Sequence, residues 1–419
     1  MPFTFIPTLY FSEGLAYILV NTVSVILYKK MGISNTWIGL TSYLYLPWVL
    51  KMLWAPAVDR FATKRSWVLV MQGLMAALFL CFAFMLSKQT SLNLFFVFSI
   101  VLFSLVAFVS ATHDIAADGF YMLALDNKQQ AFFVGIRSFF YRVSMLFGTG
   151  VLVVLAGRLE TSHTVSYSWM KVFLIAGGLY GLLALYHRFI LPKLATDHAS
   201  RSADTTIVKK TYFVEVFRSY FAQPGVLPVI FFILFYRFGE SLLLKMVSPF
   251  LLDGRGVGGL GLTTVQVGWV YGTTGLVCLI LGGITGGWLI SRFGLKKCLW
   301  PLVFSIHLPN LFYIYLSHAF PALPVVYALV AVEQFGYGLG LTAFTVVILY
   351  FAKGEYKTSH YAISTGIMAL GMMVPGMLSG YLQESLGYFH FFVAATFLTL
   401  PGIVSIFFLP KALLAPVAK

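Results

Sequence analysis

WAPAVDRFATKR, residues 54–65, closes one long apolar run and leads into the next. GGWLISRFGLKK, residues 286–297, holds the matching place in the second half of the chain. Asp59-Arg60-Phe61 aligns with Ser291-Arg292-Phe293 at an offset of 232 residues. Gly39 aligns with Gly268 at an offset of 229, and Glu13 with Glu240 at 227. Three near-equal offsets indicate an internal duplication, the usual build of secondary transporters.

Working outward, apolar runs long enough to cross ~30 Å of hydrocarbon recur from end to end. Twelve spans are expected, at roughly 6–28, 37–58, 66–86, 92–124, 131–155, 169–191, 226–252, 264–290, 298–317, 322–351, 359–386 and 388–409. The chain is 59% hydrophobic and only 10% charged, against about 25% charged in a soluble domain, whose surface must be solvated. The expected architecture is an all-α polytopic membrane protein with two pseudo-symmetric six-helix halves, 1–191 and 225–419. A polar cytoplasmic linker, 192–224, joins them.

The net charge of +14 does not indicate nucleic acid, because Lys and Arg cluster in short gaps between apolar runs. Of 28 such residues, with Lys171 and Arg188 at the ends of a span counted with their loops, 17 fall on the side of both termini and the linker, 6 on the other side and 5 within spans. That asymmetry puts both termini in the cytoplasm. Cys81, Cys278 and Cys298 are far apart, with no CxxC, so neither a disulfide framework nor a metal site is indicated. No cofactor is expected. The first apolar run lacks a basic leader and reads as a retained helix.

Charged residues within spans cost about 2.5–3.5 kcal/mol each on an insertion scale, so their positions carry information. Glu13, Asp114, Asp118, Glu240 and Glu333 are the acids; Lys51, Arg137, Arg142, Arg237 and Lys245 are the bases. The acids are proton-coupling candidates. In the first span Tyr10, Glu13, Tyr17, Asn21, Ser24 and Tyr28 recur at helical spacing and form a polar stripe. Arg237, Ser241, Lys245 and Ser248 do the same in the seventh, with Glu240 beside them. Equivalent helices of both halves thus offer polar faces, as a central cavity requires. Tyr10, Tyr17, Asn21, Lys51, Arg142, Arg237 and Lys245 are the substrate-binding candidates. Asp114 and Asp118, one turn apart, repel each other in a low dielectric, so a proton can reside there. Structural ion pairing between helices is the alternative for all ten.

Two local patterns fail their context. His113 and Asp118 match a His-four-Asp acyltransferase spacing but lie in an apolar helix. Residues 256–261 match GxGxxG without a preceding strand.

The paired basic loops resemble the major facilitator loop motif, which latches the cytoplasmic gate in that family. Asp59, Arg60, Ser291 and Arg292 are the implied gating residues. The family's proline-bearing antiporter signature is absent from RVSMLFGTGVLVVLAG, residues 142–157, which favours symport or uniport. LYLPWVLKMLWAPAVDR (44–60), SATHDIAADGFYMLAL (110–125) and FYRVSMLFGTG (140–150) resemble AmpG-type muropeptide permeases and the related acetyl-CoA transporters. The resemblance implies proton-driven import of anhydromuropeptides across a bacterial inner membrane, for peptidoglycan recycling. Lys51 and Arg142 would then meet anionic cargo groups, and Asp114 and Asp118 would serve coupling or gating. The implied partners are a small anionic solute, protons and lipid, with the protein a monomer. Ferric siderophores and acyl-CoA-type anions are alternative cargoes, since their carriers share these motifs. A sensor or acyltransferase without transport is the alternative of a different class.

Overall fold

The computed structural model describes residues 2–88, 91–197, 214–352 and 356–410. Among them every regular element is helical. Spanning helices, some with a π turn or a short break inside, are α1 (Pro2–Lys30), α3 (Lys64–Ser87), α4 (Leu92–Ala124), α5 (Lys128–Leu159), α6 (Val165–Ile190), α7 (Val226–Leu252), α8 (Thr264–Phe293), α9 (Leu295–Ala319) and α10 (Leu323–Phe351). A last apolar stretch, Ser359–Phe408, covers two expected spans, α11 (359–386) and α12 (388–408). They part at Gly387, whose φ of 71° no L side chain adopts readily.

The second expected span, α2 (35–61), is not one helix. It runs as Asn35–Leu40, a 3-10 turn Thr41–Tyr45, Leu46–Leu50, a 3-10 turn Lys51–Leu53, and Ala55–Phe61. Pro47 and Pro56 stand at the starts of the two later pieces, where a missing N–H is tolerated. Ten helices of the described chain are thus long and apolar enough to span, and α2 accounts for the difference from the expected twelve together with the break at Gly387.

Polar residues at the loop ends set where helices start. Thr63 Oγ1 accepts the Ser66 amide at the head of α3, and Thr164 Oγ1 accepts the Tyr167 amide at the head of α6. Asp126 with Gln129, and Thr263 with Gln266, form reciprocal caps at α5 and α8.

The chain divides into two compact units. The first comprises Met1–Ile33, Leu44–Arg201 and Thr263–Gly272; the second comprises Ser34–Tyr43, Ser202–Leu262 and Thr273–Lys419. Each therefore takes in the opening turns of a helix from the other sequence half. In the second unit a Cβ on Gly39 would lie 2.7 Å from the Gly380 amide nitrogen of α11. In the first, a Cβ on Gly268 would lie 2.7 Å from a Val154 methyl of α5. The two glycines aligned by the internal repeat thus do the same job: each lets the start of an even-numbered helix touch an odd-numbered one. Of the linker, residues 198–213 with Arg201, Lys209 and Lys210 lie outside the described residues.

Candidate functional site: two buried charge clusters

The regular spacing of polar residues in α1 is broken by a wider π turn at Leu19–Val23. A π turn carries an extra residue, so side chains beyond it rotate by about 100°. The expected stripe consequently splits. Tyr28 turns into a nest of Phe95, Phe96 and Phe103 and shares a 2.9 Å hydrogen bond with Ser99 of α4. Asn21 is buried and donates to the Tyr17 carbonyl at 3.0 Å. Only Tyr10, Glu13 and Tyr17 remain together near the charges of the first unit.

There, the break in α2 puts Lys51 Nζ 3.6 Å from Asp114 Oδ2 of α4. The Trp48 indole N–H donates to the same oxygen at 3.0 Å. Tyr17 closes around them, its ring 5.3 Å from Trp48, 6.1 Å from Tyr45 and 6.3 Å from Tyr141. One turn along α4, Asp118 Oδ1 accepts the Tyr10 hydroxyl at 2.8 Å and Arg137 Nη1 at 3.2 Å. Arg137 also donates to the Tyr10 hydroxyl at 3.0 Å and lies over the Tyr10 and Tyr121 rings at 4.7 and 5.3 Å. Asp114 and Asp118 therefore each hold a cation of their own. Tyr10, at 2% exposure, serves the Arg137–Asp118 pair. Arg142, five residues beyond Arg137, is half-buried and forms no hydrogen bond or ion pair among the described residues.

Behind α1 runs an uncharged polar chain. The Thr8 hydroxyl meets His187 Nε2 at 2.9 Å, His187 Nδ1 meets Gln72 Oε1 at 2.9 Å, and Gln72 Nε2 meets His113 Nε2 and Ser12 Oγ, both at 3.1 Å. An amide oxygen only accepts, so His187 carries its proton on Nδ1; an amide nitrogen only donates, so His113 carries its proton on Nδ1. His113, whose spacing to Asp118 fits an acyltransferase, is completely buried in this chain.

In the second unit, α7 breaks at Arg237, which has φ −107° and ψ 7°. Its guanidinium donates to the Tyr337 hydroxyl and lies over that ring at 5.4 Å. Among the described residues neither oxygen of buried Glu240 has a hydrogen-bond partner. Glu333 of α10 is held by the Tyr313 hydroxyl at 3.2 Å and by Gln334 Nε2 at 2.9 Å. Lys245, two turns beyond Arg237, donates to Thr41 Oγ1 at 2.9 Å. Among the described residues no carboxylate pairs with it, although it is only 9% exposed.

The described loop side chains make local contacts. Arg60 and Arg292 are exposed; Arg60 approaches the Phe61 ring at 6.0 Å, and Arg292 approaches Trp288 and Phe293 at 5.8 Å each. Ser291 is exposed and donates to the Trp288 carbonyl at 2.9 Å. The side chain of Asp59 lies outside the described residues. Residues 256–261 form a loop between α7 and α8, with Gly258 and Gly261 at φ 83° and 69°. Among the described residues no group of His, Cys, Asp and Glu is placed to hold a metal.

Sequence reasoning located the charges of the two clusters, because an ionised group in an apolar run marks itself; it did not find Asp197, which is buried and accepts the Lys64 and Arg65 amides at 2.7 and 3.0 Å. It missed Gln72, His187, Thr41 and Tyr337, which complete the clusters. Gln72 carried a usable signal: a long amide in the middle of the apolar α3.

A dozen expected passes, buried charge clusters and repeated basic loops define a multi-pass membrane transporter. The Major Facilitator Superfamily model matches residues 8–374, and the chain belongs to that family. Its relatives include the anhydromuropeptide permease of Escherichia coli K12, 26% identical over 94% of this chain and 77% of the permease. AmpG 4 of Rickettsia conorii is 22% identical over 95% of this chain and 94% of its own length. The inward-facing, occupied structure of a bacterial homologue of the human lysosomal transporter Spinster superposes with a TM-score of 0.71 at 15% identity, over 99% of this chain and 97% of that one. The protein is thus a secondary transporter with AmpG-type relatives, not an enzyme.

Proposed function

We propose that the protein imports an anionic cell-wall fragment, an anhydromuropeptide, across the bacterial inner membrane with protons, for peptidoglycan recycling. Both termini are cytoplasmic in this reading. The name of the Escherichia coli relative supports the cargo class. The observation that carries the anionic character is Lys245. A cation in an apolar span is costly unless it meets an anion. Lys51 and Arg137 already have Asp114 and Asp118, whereas Lys245 has the neutral Thr41 hydroxyl. A carboxylate of the solute supplies the missing charge, and Arg142 is a second cation without a partner carboxylate.

The test is binding of an anhydromuropeptide to purified protein. Lys245→Met weakens binding by at least about tenfold, or 1.4 kcal/mol, while Lys245→Arg keeps most of it. Unchanged affinity in Lys245→Met removes the anion role. A rise in melting temperature with a ferric siderophore or an acyl-CoA, and none with the muropeptide, would move the cargo to that class, because a ligand stabilises the state it binds. Counterflow in proteoliposomes separates a transporter of this cargo from a sensor that only binds it.

A further inference from the structure

The first unit holds three carboxylates and two cations in one neighbourhood. Lys51 is matched to Asp114, and Arg137 to Asp118. Both aspartates also accept a neutral donor, Trp48 or Tyr10. The third carboxylate, Glu13 of α1, is left over. Among the described residues it makes neither a hydrogen bond nor an ion pair, and its Oε2 is sealed from solvent. The titratable groups within electrostatic reach of it are Asp114 and Asp118 from α4, Lys51 from α2, Arg137 and Tyr141 from α5, Tyr180 from α6 and Tyr10 from α1 itself.

With all five groups ionised the neighbourhood carries one uncompensated negative charge. One proton makes it neutral. The carboxylates that own a cation and a donor are the poorer places for that proton; the one with neither is the better. We propose that Glu13 is the carboxyl that carries the coupled proton, while Lys51–Asp114 and Arg137–Asp118 persist as fixed pairs. This rests on the reading of the protein as a proton-coupled importer of an anion. Loading forms an O–H bond on the Glu13 carboxylate from a proton of the water outside. Release breaks that bond and returns the proton to water inside, leaving the carboxylate. An anionic solute and an ionised Glu13 repel each other, so solute and proton each favour the other's presence, and the linkage is reciprocal. Within the first unit the arrangement selects one acid, because Asp114 and Asp118 neutralise cations. In the second unit Glu333 is held by Tyr313 and Gln334, while Glu240, without a hydrogen-bond partner among the described residues, stands one turn from Arg237 and belongs to a separate cluster.

The test has one arm without solute and one with it. Infrared difference spectra of the purified full chain, stepped in pH, report carboxylic acid C=O bands. A band lost in Glu13→Gln and kept in Asp114→Asn is expected; a full set of bands in Glu13→Gln overturns the assignment. In proteoliposomes, wild-type uptake of an anhydromuropeptide acidifies the interior. Glu13→Gln exchanges the muropeptide but brings it only to equal concentration on both sides, and Glu13→Asp restores accumulation in part. Accumulation by Glu13→Gln against a gradient also overturns the assignment. A Glu13 band together with absent wild-type uptake sinks the muropeptide reading instead and leaves the proton site standing.

Discussion

At the residue scale, the clusters turn on whether each buried polar group has a partner. Asp114 and Lys51 form a pair whose removal by halves leaves a charge alone in an apolar setting. Lys51→Met should lower stability by about 3–5 kcal/mol, and Lys51→Met with Asp114→Asn should recover most of that. Melting temperature in detergent checks both; a double variant no more stable than the single one would mean that Lys51 does more than neutralise Asp114. Gln72 sets a second case. It bridges two buried imidazoles and Ser12, so Gln72→Leu leaves His187 Nδ1 without a partner, takes one bond each from His113 and Ser12, and should cost about 1–3 kcal/mol. The charge pairs lie outside this chain, so the same variant should leave the salt dependence of stability as in the wild type. The identity of the charged residues was legible in the sequence, because each interrupts an apolar run. Their pairing was not. Asp118 and Arg137 are 19 positions apart, and Lys51 and Asp114 are 63 apart, so only the packing of α2, α4 and α5 decides which cation meets which acid.

At the scale of elements, two irregularities escaped a reading that assumed uniform helices. The π turn at Leu19–Val23 breaks the face that Tyr10 to Tyr28 would share, and the prolines of α2 cut a span into short pieces. Both follow from local backbone geometry that spacing rules average over. The internal repeat was legible, and its glycines acquire a physical reason. A Cβ on Gly380 would fall 1.7 Å from the Asn35 carbonyl oxygen, and one on Gly39 would fall 2.7 Å from the Gly380 nitrogen. Around this contact Asn35 donates to the Tyr388 hydroxyl at 3.0 Å, and the Thr36 amide donates to Glu384 at 3.1 Å. Gly380→Ala should therefore prise α2 from α11 and reduce the yield of folded protein. Gly178 of α6 meets nothing within 4 Å, and Gly178→Ala should instead gain up to about 1 kcal/mol, the helix propensity difference. Equal melting temperatures for the two alanine variants would count against the close contact.

At the scale of the whole molecule, the open matter is sidedness, and α2 decides it. Loops on the side of both termini carry 17 Lys and Arg against 6 opposite, and the ratio stays 12 to 6 without the five of the linker. That bias points the termini inward. The count depends on α2 crossing the membrane in spite of its breaks. Were it to stay on one side, every later loop would change sides relative to the N-terminus, Lys64, Arg65 and the linker included; Lys29 and Lys30 would join the basic side, 19 against 4, and the same bias would put the N-terminus outside and the C-terminus inside. Single cysteines in a background free of Cys81, Cys278 and Cys298 resolve both matters. Ser34 and Ala62 flank α2, while Ser162 and Thr196 flank α6, and all four belong to the described residues. Ser34→Cys and Ser162→Cys should react with an impermeant maleimide in cells whose inner membrane is intact. Ala62→Cys and Thr196→Cys should react only after that membrane is opened. The reverse pattern would invert the orientation and keep the crossing. Labelling of Ser34→Cys and Ala62→Cys from the same side would mean that α2 folds back, which would leave Lys51 near the membrane surface. Asp114, in the 33-residue α4, would then have to lie near that surface too, since the pair is held at 3.6 Å. An α4 with charge at its surface end and a long apolar remainder would need no buried partner at all, so the existence of the Lys51–Asp114 pair itself favours the crossing.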